Sequence, residues 1–306
     1  VSDLNRQHGS PSRAKIVLAY LSVFIIWGST YLAIRIGVQD IPPALFAGLR
    51  FMIAALLLFI YGRITTRTFP QTRRDIAVHA IVGIFLLVGG NGLVVWSEQW
   101  VHSGLAAVII ASVPLFMSSV DALIPGGHRL SFIGWVGILI GFGGVVYLVF
   151  PALRGAEGSE LHPAGIAGLI VASFFWSIGS VFSKRQAAGG DVLINTAIQM
   201  FSGGAGLLLI ALLTNELPEM KVTWDGMLSL VYLIVFGSII GFTSYAYLLR
   251  HVPPAKASTY AYVNPIVAVI LGTALLAEPL TSRTIMATVI ILGGVAIVQA
   301  ARTRLR

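Results

Sequence analysis

Long apolar runs separated by short polar stretches set the pattern of this chain. Ten such runs, nearly free of Asp, Glu, Lys and Arg, lie at about residues 16–34, 42–61, 76–97, 102–124, 131–150, 164–183, 193–213, 226–248, 256–277 and 283–301. Each approaches the roughly 20 residues that carry an α-helix across a hydrocarbon core of about 30 Å. None alternates apolar with polar positions as the strands of a membrane barrel do. The pattern predicts an all-α polytopic membrane protein with ten transmembrane helices. Formal charges fall well inside only two runs, as Arg50 in the second and Asp121 in the fourth.

The runs repeat at an offset of about 150 residues. Leu130-Ser131 precedes Gly143-Gly144-Val145, and Leu280-Thr281 precedes Gly293-Gly294-Val295. In the same order, Trp27 answers Trp176, Arg50 answers Gln199 and Pro114 answers Pro265. Five helices per unit is an odd number, so the second unit enters the membrane upside down relative to the first. The predicted organisation is a cytoplasmic tail 1–15, a first repeat 16–150, an external linker 151–163, an inverted second repeat 164–301 and a tail 302–306. Inverted repeats underlie alternating access, with the substrate near the midplane where the repeats meet.

Composition narrows the class. Of the 306 residues, 57% are hydrophobic and 10% charged, against about 25% charged in soluble domains. A soluble enzyme and a disordered chain are excluded. The net charge of +8 reads as a topology signal, with no nucleic-acid partner expected. With the N-terminus inside, only Arg35, Arg154, Lys221 and Arg283 of the 20 bases fall outside and Arg50 lies within a run, while the bases Arg6, Arg67, Arg304 and Arg306 join the inner majority. Outer segments collect acids instead: Asp40, Glu98, Glu157, Glu160, Glu216, Glu219, Asp225 and Glu278. This bias predicts both termini in the cytoplasm. Ser2 to Lys15 is polar and no small-residue cleavage site follows the first run, which is expected to stay as an anchor. Cysteine is absent, which removes disulfides and thiol chemistry.

Polar and aromatic groups near mid-depth are the candidate chemistry, because lipid tolerates them only when paired or facing a cavity. Trp27, Thr30 and Tyr31 share a face of the first helix, and Trp176 and Ser180 a face of the sixth. Asn91 lies in the third helix, Tyr245 in the eighth, and Tyr260 and Asn264 one turn apart in the ninth. These nine residues are expected to line a cavity walled by helices one, three, four, six, eight and nine. The competing role is interhelical hydrogen bonding. Pro114 and Pro265 suit hinges or static kinks. Proline at 265 also disfavours ordinary helical geometry at Asn264. Three readings stay open for Arg50: snorkelling outward, a structural hydrogen-bond role, or attraction of a substrate carboxylate. Gly134, Gly137, Gly141 and Gly144, with the Gly-Gly pairs at 143 and 293, read as close packing of helices five and ten.

Several motifs also carry a resemblance. Ile26-Trp27-Gly28-Ser29-Thr30-Tyr31, Gly90-Asn91-Gly92, Ser103-Gly104-Leu105-Ala106-Ala107-Val108, Val113-Pro114-Leu115-Phe116 and Ser258-Thr259-Tyr260-Ala261-Tyr262-Val263-Asn264-Pro265 resemble the EamA-type exporters of the drug/metabolite transporter superfamily. The resemblance, from about Lys15 to Ala301, implies ten helices, a bacterial inner-membrane location and export of amino acids or related metabolites. Small members of that superfamily use a membrane Glu in their first helix, and this sequence has none there.

No Asp or Glu falls near mid-depth in any run and no nucleotide-binding loop is present. Together with the amino-acid or metabolite export that the resemblance implies, this makes the expected function an exporter working as a facilitator, as a monomer or homodimer, without metal or cofactor. A proton-coupled multidrug effluxer would want a buried acid, and a nucleotide-sugar carrier several bases in the cavity. An intramembrane enzyme would want a nucleophile with its base, and a receptor would not explain the duplication.

Overall fold

The computed structural model describes residues 12–65, 72–127, 129–153, 162–186 and 191–303. Among the charges counted above, Arg6, Arg67, Arg154, Arg304, Arg306, Glu157 and Glu160 lie outside them, as do most of both tails and of the 151–163 linker. Among the described residues ten apolar helical segments are laid out in order, nine of them long enough to span a membrane and α9 shorter: α1 (Arg13–Gly37), α2 (Pro43–Thr65), α3 (Arg73–Ser97), α4 (Ser103–Leu123), α5 (Phe132–Leu153), α6 (Pro163–Gln186), α7 (Val192–Leu213), α8 (Trp224–His251), α9 (Tyr260–Leu276) and α10 (Ser282–Thr303). Among the described residues there are no strands. The chain is an all-α polytopic membrane protein. Large apolar side chains such as Leu56, Phe132, Leu139 and Phe201 point outward and stay exposed, as a surface facing lipid requires.

Local chemistry sets the helix ends. Thr72 and Asp75 form a reciprocal capping box at the start of α3, and Asp191 and Thr223 cap α7 and α8 through their side chains. Ala277, at φ 52°, closes α9 in the left-handed conformation.

The direction of each helix follows from its end contacts. Arg35, at the end of α1, donates to the carbonyls of Glu98 and Gln99 at the end of α3. Gly165, near the start of α6, packs on Ser97 and Val101. So α1 finishes where α6 begins, and the second set of five helices runs antiparallel to the first. We call this the far end. At the opposite, terminal end, where α1 starts, Arg185 of α6 pairs with Asp121 of α4 at 3.4 Å.

Repeat mates pack on each other: α2 lies along α7, and α5 along α10. Small residues let the α5–α10 backbones meet. A Cβ at Gly294 would fall 2.5 Å from the Gly141 nitrogen, and one at Gly137 would fall 2.8 Å from Ile297. Gly144 is similarly pressed on Ile290 and Ile291. Gly143 and Gly293 differ from the expectation: nothing lies within 4 Å of a Cβ at either. Only the second glycine of each pair faces the seam.

Two irregularities position the interior. Wide π-helical turns occupy Ile84–Gly92 of α3 and Leu233–Phe242 of α8, matching places in the two repeats. Such turns often mark functional positions. Helix α4 breaks at Ala111–Ser112, so Pro114 sits in the first turn after the break rather than inside an unbroken helix. Pro265, in contrast, lies within continuous α9, and Asn264 before it is ordinarily helical. The break on that side comes earlier, between the short helix Pro254–Ala257 and Tyr260. Packing of α9 against α1 overrides the local preference imposed by the proline.

Candidate functional site

Between the repeats lies a cavity with about 530 Å³ of empty space, open solvent included. Its wall combines Trp27, Thr30, Tyr31 and Ile34 of α1, Arg50 of α2, Gly90, Asn91 and Val94 of α3, Ile110 and Val113 of α4, Ala172 and Trp176 of α6, and Tyr260 and Asn264 of α9. Seven of the nine expected lining residues are thus brought together. Ser180 and Tyr245 are not in the wall. Tyr245 is fully buried behind it, and its hydroxyl lies 2.8 Å from Ser180 Oγ and 3.3 Å from Trp176 Nε1. Helix two replaces helix eight in the wall, because Arg50 turns inward.

Arg50 does not snorkel. It is 2% exposed. Its Nε donates to Ser238 Oγ at 2.7 Å and its Nη1 to Asn91 Oδ1 at 3.4 Å, and its guanidinium stands 4.7 Å from the Phe51 ring. Gly237 makes the space: a Cβ there would fall 2.8 Å from Arg50 Nη2. One turn on, a Cβ at Gly241 would fall 2.5 Å from Trp27 Nε1. The π-helical turn of α8 thus presents two bare backbone positions, one against the guanidinium and one against the indole. Neutral acceptors hold Arg50 without cancelling its charge, which leaves the cavity electropositive at that wall. Ser238, Gly237 and Gly241 were not singled out in the sequence, although their place opposite Gly89 to Gly92 in the repeat is a usable signal.

The terminal-end floor is aromatic. Trp27 meets Trp176 edge to face at 5.4 Å, Tyr260 edge to face at 5.2 Å and Tyr245 at 5.0 Å, with Phe242 closing the cluster. The Trp27 indole is fixed by donation to the Gly237 carbonyl at 3.1 Å. Beyond the cluster, a cleft of about 1140 Å³ reaches Phe242 and Tyr245 from the terminal end, past Lys184, Arg250, Thr196 and the His79–Gln199 pair. Arg50 and its repeat mate Gln199 therefore face separate spaces on opposite sides of one aromatic layer.

Two lining residues also bond between or within helices. The Asn264 amide nitrogen donates to the carbonyls of Tyr260 and of Phe24 in α1, each at 3.1 Å. Thr30 Oγ1 donates to the Trp27 carbonyl at 2.8 Å. Lining and packing are not alternatives here.

The far end holds two acids that the sequence assigned to outer segments. Glu278 is 8% exposed, and its carboxylate accepts from Ser103 N (2.8 Å), Ser103 Oγ (2.9 Å) and Gly104 N (3.0 Å) at the start of α4. Glu98 is wholly buried at the end of α3, and among the described residues neither of its carboxylate oxygens finds a hydrogen-bond partner. Among the described residues no three His, Cys, Asp or Glu side chains are grouped to hold a metal ion.

Relatives agree with this architecture. The profile of the EamA-like transporter family matches twice, at residues 14–150 and 163–299. The uncharacterized inner membrane transporter YedA of Escherichia coli K12 is 38% identical over 283 residues, covering 92% of this chain and 89% of that protein. The uncharacterized transporter YoaV of Bacillus subtilis 168 is 26% identical over 281 residues, covering 92% and 95%. One crystal structure has the same fold, with TM-score 0.67 at 20% identity over 95% of this chain and 99% of the other. With its duplicated helices, the cavity between them and these relatives, the chain belongs to the EamA-like transporter family and is a multi-pass transporter of the inner membrane.

Proposed function

We propose that the chain exports amino acids, aromatic ones included, and similar small zwitterions by alternating access, as a facilitator with both termini in the cytoplasm. The observation that carries the reading is Arg50, a buried guanidinium held by neutral groups in the wall of an otherwise aromatic and apolar cavity. A carboxylate of the substrate meets Arg50, and the rings of Trp27, Trp176, Tyr31 and Tyr260 contact its side chain with little discrimination. No acid is among the lining residues, which argues against cationic drugs. A single guanidinium argues against nucleotide sugars, whose phosphates would want several.

In this reading the transporting unit is a single chain, alone or paired as a homodimer. The two repeats, 16–150 and 164–301, rock about the aromatic layer, with the 151–163 linker outside. Counterflow of a panel of labelled amino acids in proteoliposomes tests the reading. The expected result is exchange without an imposed ion gradient, reduced at least tenfold by Arg50→Gln. Wild-type rates in Arg50→Gln, or no exchange of any amino acid, would overturn it.

A further inference from the structure

The acid that the proposed transport cycle does not use is Glu98. It follows Asn91 and Val94 on one face of α3, at i, i+3 and i+7, and so sits one turn beyond Val94 at the far end of the cavity. Its side chain is completely buried, and among the described residues neither oxygen accepts a hydrogen bond. It is also the residue that closes α3, where the helix dipole opposes negative charge.

The charged and titratable neighbours are known from each side. From α1 come Tyr31 and Arg35, from α2 Arg50, and from the α9–α10 connection Glu278. On the α6 side, Gly165 and Gly168 face Ser97, and His162 stacks on Trp100. His102 lies beside Glu278 in the clefts of the far end. Neither guanidinium is spent on the Glu98 carboxylate. Arg35 donates to the backbone carbonyls of Glu98 and Gln99, and Arg50 to Ser238 and Asn91. Glu278 is satisfied by three donors at the start of α4. Burial and Glu278 push the Glu98 carboxyl well above the usual carboxylate range, against the smaller opposing pull of Arg35 and Arg50.

We propose that Glu98 is a proton-binding site that latches the far end of the cavity, protonated when that end is closed and ionised when it opens to water. A buried carboxylate without partners is strongly disfavoured as an anion. Holding a proton removes that penalty in the closed state. Opening hydrates the group and returns it toward an ordinary Glu value of about 4.3. Closure therefore takes up one proton and opening releases it. The aromatic layer of Trp27, Trp176, Tyr245 and Tyr260 stands between Glu98 and the terminal-end cleft. The proton returns to the compartment it came from. The latch sets how often the far end opens and does not drive accumulation. This rests on the chain being a transporter and not on the identity of its substrate.

The absence of cysteine from the chain permits a test that needs no substrate. Val94→Cys places a thiol in the cavity wall below Glu98, and Gln39→Cys places one on the exposed far-end surface. Labelling both in intact cells with a membrane-impermeant maleimide, and taking the ratio of their rates, cancels the thiol's own pH dependence. The ratio should rise by up to about tenfold per pH unit above about pH 4.3 and level off once the closed-state carboxyl also ionises. Adding Glu98→Gln, which is neutral at every pH, should hold the ratio flat at its low value. A flat ratio with Glu98 present, or an unchanged slope in Glu98→Gln, would overturn the proposal. So would substrate accumulation above equilibrium driven by an imposed pH gradient in wild-type proteoliposomes and lost in Glu98→Gln. That result would make Glu98 a site through which protons cross the membrane.

Discussion

Two glutamates close the far end of this transporter, and the surroundings of each give it a different chemistry. Glu278 points at the beginning of a helix, where Ser103 and Gly104 offer two backbone N–H groups and a hydroxyl. Glu98 ends a helix, is more deeply buried, and among the described residues has no hydrogen-bond donor. Helix polarity and donor count, not residue type, separate a carboxyl group fixed by three donors from one that gains by taking a proton. The contrast also bears on the inverted repeat. The second repeat supplies the acid that pins the start of α4, and the first supplies the acid beside the cavity.

The comparison is broken most sharply by removing the anchored acid. Glu278→Ala leaves Ser103 and Gly104 with buried unpaired donors, and loss of these charge-assisted bonds should cost about 3 kcal/mol or more. A fall in the thermal midpoint in nanodiscs checks this, and an unchanged midpoint would remove Glu278 from its anchoring role. Arg35→Gln comes next. It forfeits the bonds to the Glu98 and Gln99 carbonyls, for a loss of about 1–2 kcal/mol. It also removes a positive charge that favours ionised Glu98. The pH above which the Val94→Cys labelling ratio levels off should move upward, and a downward shift would contradict the assigned sign. The smallest effect is expected of Glu98→Gln. It keeps the shape of the neutral acid, so stability should be unchanged or raised by about 1 kcal/mol or less. A clear drop in the midpoint would mean that the carboxylate is ionised and paired in the closed protein.

The helices were legible because their length is imposed by the bilayer. All ten apolar runs lie on the observed helices, and the second glycine of each pair in α5 and α10 does pack at close approach. The π-helical turns were not legible, since a wider turn changes no residue type. The depth of Arg50 could be counted along its run, but its direction depends on Ser238 and Asn91, which reach it from other helices. Glu98 was missed for a related reason. Charge counting places an acid beside Gln99 in a loop, whereas its spacing from Asn91 and Val94 puts it on the cavity face. Asn264 shows the limit of local rules, because packing keeps it helical ahead of a proline.

The central claim is that Arg50 selects a carboxylate in an aromatic cavity. Binding followed through the fluorescence of Trp27 and Trp176 tests it most directly, using phenylalanine and its amine analogue without the carboxylate, in wild type and in Arg50→Gln. A charge-assisted contact of about 1.5–3 kcal/mol corresponds to roughly 10- to 100-fold tighter binding of the amino acid. The account predicts that advantage in wild type and its loss in Arg50→Gln. Equal binding of the two ligands by the wild type, or an advantage that survives the substitution, would contradict it.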